Sequence, residues 1–259
     1  MILVEGRVFQ LVWLIFFLGA VYVMIRRARA GLPIPEIRKI PGLEAIDEAI
    51  GRATEMGRPV HYSPGIGSIS NPQTIASYAV LSYVARRCAE YDTRLIQTNR
   101  QITVHAVNQE IIKQAYLEAG RPDAYNPDDV RFLSTWQFGY TSGVLGIFQR
   151  ERPAANILFG AFWAEAMILA ETGHHVGAIQ IGATANTAQI PFFVAGCDYA
   201  LIGEEMYAAS AYLSKEPVLS GTVVGQDIAK MVTFAFIILG FILEQVQGEN
   251  NWLRVLFSK

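Results

Sequence analysis

The sequence predicts an α/β protein: a Rossmann-like doubly wound parallel sheet of about six strands, flanked by an N-terminal and a C-terminal transmembrane helix. Three observations predict it. From Arg58 onward, short apolar runs alternate six times with longer helical patterns. Uncharged apolar runs lie near both ends of the chain. A glycine-rich stretch, HYSPGIGSISNPQT at residues 61–74, reads as the end of a strand, a turn and the start of a helix.

The N-terminal run, residues 8–25, carries no charge and is long enough for a hydrocarbon core of about 30 Å. Arg26, Arg27 and Arg29 follow it, whereas Glu5 and Arg7 cancel on the other side, so the positive-inside bias places the N-terminus outside. A cleaved signal peptide is the rival reading, but its cationic cluster would precede the apolar run. Residues 26–42 read as a tether, because GLPIPEIRKIPG holds three prolines and resists helix. A helix is expected over 43–56, with Ile46, Ala49, Ile50 and Ala53 along one face.

Six strand and helix pairs follow. PVHYS precedes a helix at 75–90, RLIQT one at 103–118, and VRFLS one at 137–149. NILFG precedes 162–171, AIQIG precedes 188–195, and YALIG precedes 204–213. Strict alternation requires crossover connections, which give a parallel sheet with helices on both faces. This body spans 43–214, and a second tether spans 215–227. A second membrane helix, 228–246, returns outward with Lys230 reaching back to the interface, against the rival of a buried C-terminal helix. Residues 247–259 read as an interfacial tail carrying Trp252 and Phe257 beside Arg254 and Lys259. A third span over 154–169 is disfavoured by Pro153 and by Glu165 inside it.

Composition narrows the partners. Lys+Arg 21 against Asp+Glu 23 gives a net charge of -2, which offers no field to recruit nucleic acid. The two cysteines, Cys88 and Cys197, lack CxxC spacing and read as buried, reduced thiols. No zinc spacing occurs, and no metal is expected.

In doubly wound sheets, ligands bind outside the carboxyl ends of the strands. The candidate rim is Ser63, Gly65, Gly67, Ser68 and Asn71 from the first loop, Thr98, Asn99 and Arg100 from the second, and Gly182, Thr184 and Glu204 from later ones. Gly65-x-Gly67-x-x-Ser70 approaches a dinucleotide fingerprint, and Asn71-Pro72 is a helix cap followed by proline. The third position is Ser, however, and the second strand ends without a carboxylate for a ribose. Phosphate binding, with a nucleotide as the possible cofactor, therefore stands beside plain turn chemistry. Ser63 has no evident base, and His61 and His105 read as structural. His174 and His175 fall before the fifth strand, away from the rim, and Glu204 and Glu205 complement a helix start. No catalytic residue is assigned.

Residues 154–203 contain Glu165, Glu171 and Asp198 but no Lys or Arg. Within them FGAFWAEAMILA is apolar nearly all round, so its outer side is expected to be covered, with Phe162, Trp163, Glu165 and Met167 in an interface. Burial under the N-terminal helix of the body is the alternative.

The strings HYSPGIGSISNPQT, YDTRLI, AYLEAGRPDAYNPDDVRFLS, ERPAANI, ETGHHVGAIQIG, QIPFFVAGCDYALIGEE and MYAASAYLS resemble an uncharacterised family of bacterial and archaeal membrane proteins with a domain of unknown function. The resemblance covers residues 31–245 and implies no activity. The expected function is a homo-oligomeric, non-catalytic membrane scaffold or subunit of a larger membrane assembly, with lipid and membrane-protein subunits as partners. A nucleotide-binding or nucleotide-sensing module is the first alternative, and an enzyme on a phosphorylated or nucleotide substrate the second. The expected location is the cell membrane, with the body cytoplasmic and both termini outside.

Overall fold

The computed structural model describes residues 8–33, 35, 40–214 and 216–247. In chain order the helices are α1 (Val8–Arg29), α2 (Pro41–Met56), α3 (Pro72–Glu90), α4 (Ile102–Glu118), α5 (Gln137–Glu151), α6 (Glu165–His175), α7 (Ile190–Gly196), α8 (Glu204–Ser214) and α9 (Pro217–Gln247). The strands are β1 (Val60–Gly65), β2 (Leu95–Asn99), β3 (Val130–Phe132), β4 (Ala155–Ala161), β5 (Ile179–Thr184) and β6 (Tyr199–Ile202). The chain divides into two compact units, Met1–Ile37 with Lys215–Lys259, and Arg38–Ser214.

In the first unit α1 packs on α9, and both are long and apolar enough to cross a membrane, over Gln10–Arg29 and Pro217–Gln245. The segment expected as a second tether is helical from Pro217. Gly221 and Gly225 explain this: a Cβ on Gly221 would lie 2.7 Å from Ile25 Cα, and one on Gly225 2.6 Å from Val21 Cα. Glycines four apart let two backbones touch, so this stretch is a packing surface. Further along, Trp13 meets Phe236 edge-on at 6.0 Å. The outward side chains include Leu14, Ile15 and Leu18 on α1 and Phe234, Ile237 and Phe241 on α9. Of the expected tail over 247–259, Gln247 ends α9, and the rest, with Trp252, Arg254, Phe257 and Lys259, lies outside the described residues, as do Glu5 and Arg7.

The second unit holds a six-stranded sheet in the order β3-β2-β1-β4-β5-β6, and every pairing is parallel. The first three strands step one way and the last three the other, so the winding reverses between β1 and β4. On one face Val60, Tyr62, Ile157, Phe159, Ile181 and Ala183 join apolar residues of α2, α3, α4 and α8 in a core. On the other face Ile96, Leu158 and Phe162 join α5, α6 and α7.

Most helices lie within a few residues of their expected places, but the fourth pair shifts. Strand β4 runs on to Ala161 because Gly65 pairs with it after a register shift past Ser63. Phe162 is consequently drawn into the core, and α6 starts at Glu165 and ends at His175. The long loop before β3 folds into two short 3-10 turns, and Arg94 grips Asp129 there through Nε and Nη2. A cavity of about 330 Å³, lined in part by Cys88, Tyr116 and Asp129, lies beside that loop. Burial pushes the Cys88 thiol far up and the Cys197 thiol to about 12, so both are inert at neutral pH.

Candidate functional site

The β1–α3 turn is built by close backbone approach. Gly65 has φ 78°, and a Cβ on it would stand 2.1 Å from the Ala161 carbonyl oxygen. The amide of Ile66 donates to that same oxygen at 2.8 Å, sewing the turn to the end of β4. A Cβ on Gly67 would meet Thr74 Oγ1 at 2.5 Å and the Ala161 Cβ at 2.9 Å. Both glycines are therefore required by packing alone. Asn71 caps α3 by accepting from the Gln73 amide, with Pro72 at the first helical position.

Two side chains strap this turn to neighbouring loops. Arg100 donates to the Ile66 carbonyl at 3.1 Å and to the Thr135 carbonyl at 2.9 Å. Gln73 Oε1 accepts from Thr184 Oγ1 at 3.1 Å and from the Ala185 amide at 2.8 Å. The exposed hydroxyls of Ser68 and Ser70 bond to each other at 3.1 Å.

Beneath the turn lies a buried polar chain that crosses four strands. Gln180 Nε2 donates to the carbonyls of Ala170 and Gly196, so its Oε1 accepts from Asn156 Nδ2 at 2.8 Å. Asn156 Oδ1 must then accept from His61 Nδ1 at 2.8 Å, which leaves His61 Nε2 to accept from the Thr98 hydroxyl at 3.0 Å. Thr98 accepts from the Tyr140 hydroxyl at 3.2 Å, Tyr140 accepts from Ser63 at 2.6 Å, and Ser63 accepts from the Gly65 amide at 3.0 Å. One carbonyl pair at the far end thus fixes every donor, and the His61 tautomer with them. All six side chains are fully buried or within one percent of it. Burial holds the His61 imidazole neutral, its pKa lowered to about 4 against the opposing effect of the hydrogen bond it donates to Asn156.

The predicted rim residues are thus only partly brought together. Gly65, Gly67, Ser68, Asn71, Arg100 and Thr184 surround the turn, directly or through Gln73. Ser63 and Thr98 lie below it with their hydroxyls occupied. Asn99 faces the opposite side of the sheet, bonded to Gln97, Asn108 and His105. Gly182 is sealed under α7, where a Cβ would meet Phe193 at 2.7 Å. Glu204 opens α8 after the edge strand β6, three strands from β1. Sequence reasoning missed Tyr140, Asn156, Gln180, Gln73 and Thr74. For Asn156 and Gln180 the available signal is a lone polar side chain near the start of an otherwise apolar strand; Tyr140, Gln73 and Thr74 lie on helices, where the sequence carries no such mark.

The expected interface also divides. Phe162 is fully buried against Phe193, with ring centroids 5.3 Å apart. Glu165 is fully buried too, accepting from the Trp163 amide at 3.0 Å and from Gln137 Nε2 at 2.6 Å. These two leave the interface because the extended β4 pulls their turn inward. Trp163 and Met167 remain exposed, at 60% and 52%. Met167, Ala170, Glu171, His174, Phe192 and Ala195 line a groove of about 260 Å³ between α6 and α7. Among the described residues, no group of three or more His, Cys, Asp or Glu is placed to hold a metal ion.

The fold and site together define a class: a pair of apolar helices joined to a doubly wound parallel α/β domain with a glycine turn where the winding reverses. A family model described as a domain of unknown function, DUF6754, matches residues 2–255, and the chain belongs to that family. No curated protein and no solved structure matches it.

Proposed function

We propose that this protein is a membrane-anchored scaffold that assembles with copies of itself through the α6–α7 face and carries out no reaction of its own. One observation carries the reading: Met167 and Phe192 line the α6–α7 groove and stand exposed, in a stretch that also exposes Trp163 and Val194 and holds no Lys or Arg. An exposed, largely apolar groove of this kind marks an interface. A second copy fits it best, because a two-fold contact sets a patch against itself, apolar Met167 and Phe192 on their counterparts and Glu171 of one copy toward His174 of the other. The hydroxyls of Ser63, Thr98 and Tyr140 and the His61 ring are consumed by one another below the rim, which supports a structural role for them.

The anchor in this reading is the α1–α9 pair, held in the cell membrane. Arg26, Arg27 and Arg29 at the end of α1 favour the cytoplasmic side for that end, and with it the α/β domain. The test is the mass of the full chain in detergent or nanodiscs by light scattering. A defined oligomer is expected, reduced to monomer by Met167→Lys with Phe192→Lys and with the melting temperature kept. A wild-type monomer, or an oligomer indifferent to both changes, would overturn the proposal.

A further inference from the structure

The turn that seals β1 to β4 leaves one group unexplained. Thr74 is fully buried in the first turn of α3, and its Oγ1 has no hydrogen-bond partner. A buried hydroxyl without a partner is costly and calls for an explanation. Its direction is defined: a Cβ on Gly67 would lie 2.5 Å from it, beside the Cβ atoms of Ala161 and Asn71. Thr74 Oγ1 therefore faces the inside of the glycine turn, packed against Gly67 and shut from solvent by the Ala161 and Asn71 side chains, so a ligand reaches it only when the turn parts.

The surroundings favour an anion. The amides of Gly67, Ser68, Ile69, Ser70 and Thr74 find no acceptor among the described residues. They lie at the start of a 19-residue helix whose dipole places partial positive charge there. The Arg100 guanidinium is fixed on the same turn by its bond to the Ile66 carbonyl. No acidic residue occurs between His61 and Ala89; on the β4 side the buried Glu165 follows Ala161 by four residues, its oxygens held by Gln137 and the Trp163 amide.

We propose that the β1–α3 turn binds a phosphate group, with Thr74 Oγ1 donating to it, the Gly67–Ser70 amides around it and Arg100 supplying positive charge. The site takes the phosphate and little else. Dinucleotides extend across the crevice between the strands on either side of the reversal. Here the Ile66 bond to Ala161 and the Gln73 strap to Thr184 and Ala185 occupy that path. The ribose partner is missing too, since β2 ends in Asn99, whose amide is spent on Gln97 and His105. The ligand class is therefore inorganic phosphate or the phosphate of a small monoester.

The experiment uses the full chain in detergent, titrated with inorganic phosphate at constant ionic strength and followed by phosphorus NMR and melting temperature. Saturable binding at millimolar phosphate is expected, with a rise in melting temperature that chloride does not reproduce. Thr74→Val should bind about tenfold more weakly, the loss expected for a hydrogen bond to a charged group, while the ligand-free protein melts no lower. Thr74→Ser should restore binding. No saturable response in the wild type would overturn the proposal, whatever the variants do, and so would wild-type affinity in Thr74→Val. Adenosine monophosphate separates the two sources: affinity close to that of inorganic phosphate supports a site for the phosphate alone, and affinity more than tenfold higher would overturn that assignment.

Discussion

The two faces of the central sheet are built on different principles. On the α2–α3–α8 side, β1, β4 and β5 present Val60, Tyr62, Ala155, Ile157, Phe159, Ile181 and Ala183, an apolar layer held by contact area. On the α5–α6 side, where Leu158 joins a second apolar cluster, the same strands also present His61, Ser63, Asn156 and Gln180, links of a single hydrogen-bonded chain running from the Gly65 amide to the carbonyls of Ala170 and Gly196. Apolar contacts are many and individually small, so that layer absorbs a change locally. The chain has one donor per acceptor and no spare, so a change at one link strands its neighbours.

The largest effect is expected where the polar chain begins. Gly65 has φ 78°, and a Cβ there would overlap the Ala161 backbone oxygen at 2.1 Å. Backbone cannot swing aside as a side chain can, and the strain adds to the overlap. Gly65→Ala is expected to cost about 4 kcal/mol or more, enough to abolish a cooperative melt followed by circular dichroism. A stable, well-melting variant would show that β1 and β4 can separate at this point.

The next effect compares two adjacent residues of β4 that face opposite ways. Asn156→Leu keeps the branching and the number of side-chain heavy atoms but leaves His61 Nδ1 and Gln180 Oε1 buried without partners, at about 1–3 kcal/mol each. Ile157→Val removes one methylene from the apolar layer and should cost about 1 kcal/mol. Denaturant midpoints at unchanged slope measure both. Equal losses would erase the distinction between the faces.

Much of this was legible in the sequence, and the reasons divide along the same line. The alternation of short apolar runs with helical patterns dictates crossovers, hence a parallel sheet with covered faces, and the six runs starting at Pro59 map onto β1 to β6. What escaped was the inward polar residue. PVHYS, NILFG and AIQIG were read as apolar strands, whereas His61, Asn156 and Gln180 sit side by side, paired through His61↔Asn156 and Asn156↔Gln180. Neighbours across a sheet come from register, and register is set by long-range pairing that no local pattern records. The start of α6 escaped for the same reason, since only the pairing of Gly65 with Ala161 reveals that β4 runs past Gly160. In α9, the Gly221 and Gly225 spacing was visible in SGTVVGQ, but its meaning depends on α1 lying against it.

The remaining effect, comparable with that of Asn156→Leu, is read with pH, and it tests the polar face without touching the apolar one. His61 is neutral in the folded chain because burial lowers its pKa to about 4, against an ordinary value of 6.5. The unfolded chain therefore takes up a proton at His61 between those values and the folded chain does not. The sign follows: this stabilisation is fully present above pH 6.5, falls as the pH drops, and is exhausted near pH 4, a loss of about 3 kcal/mol. A proton on Nε2 would also meet the Thr98 hydroxyl already donating to it, so the chain would have to reverse from Thr98 back to Ser63. His61→Gln, which cannot take up that proton, should flatten the stability profile between pH 6.5 and 4 while lowering it at pH 7. A variant profile as steep as that of the wild type would place the titrating group elsewhere and leave the chain without its pH-sensitive link.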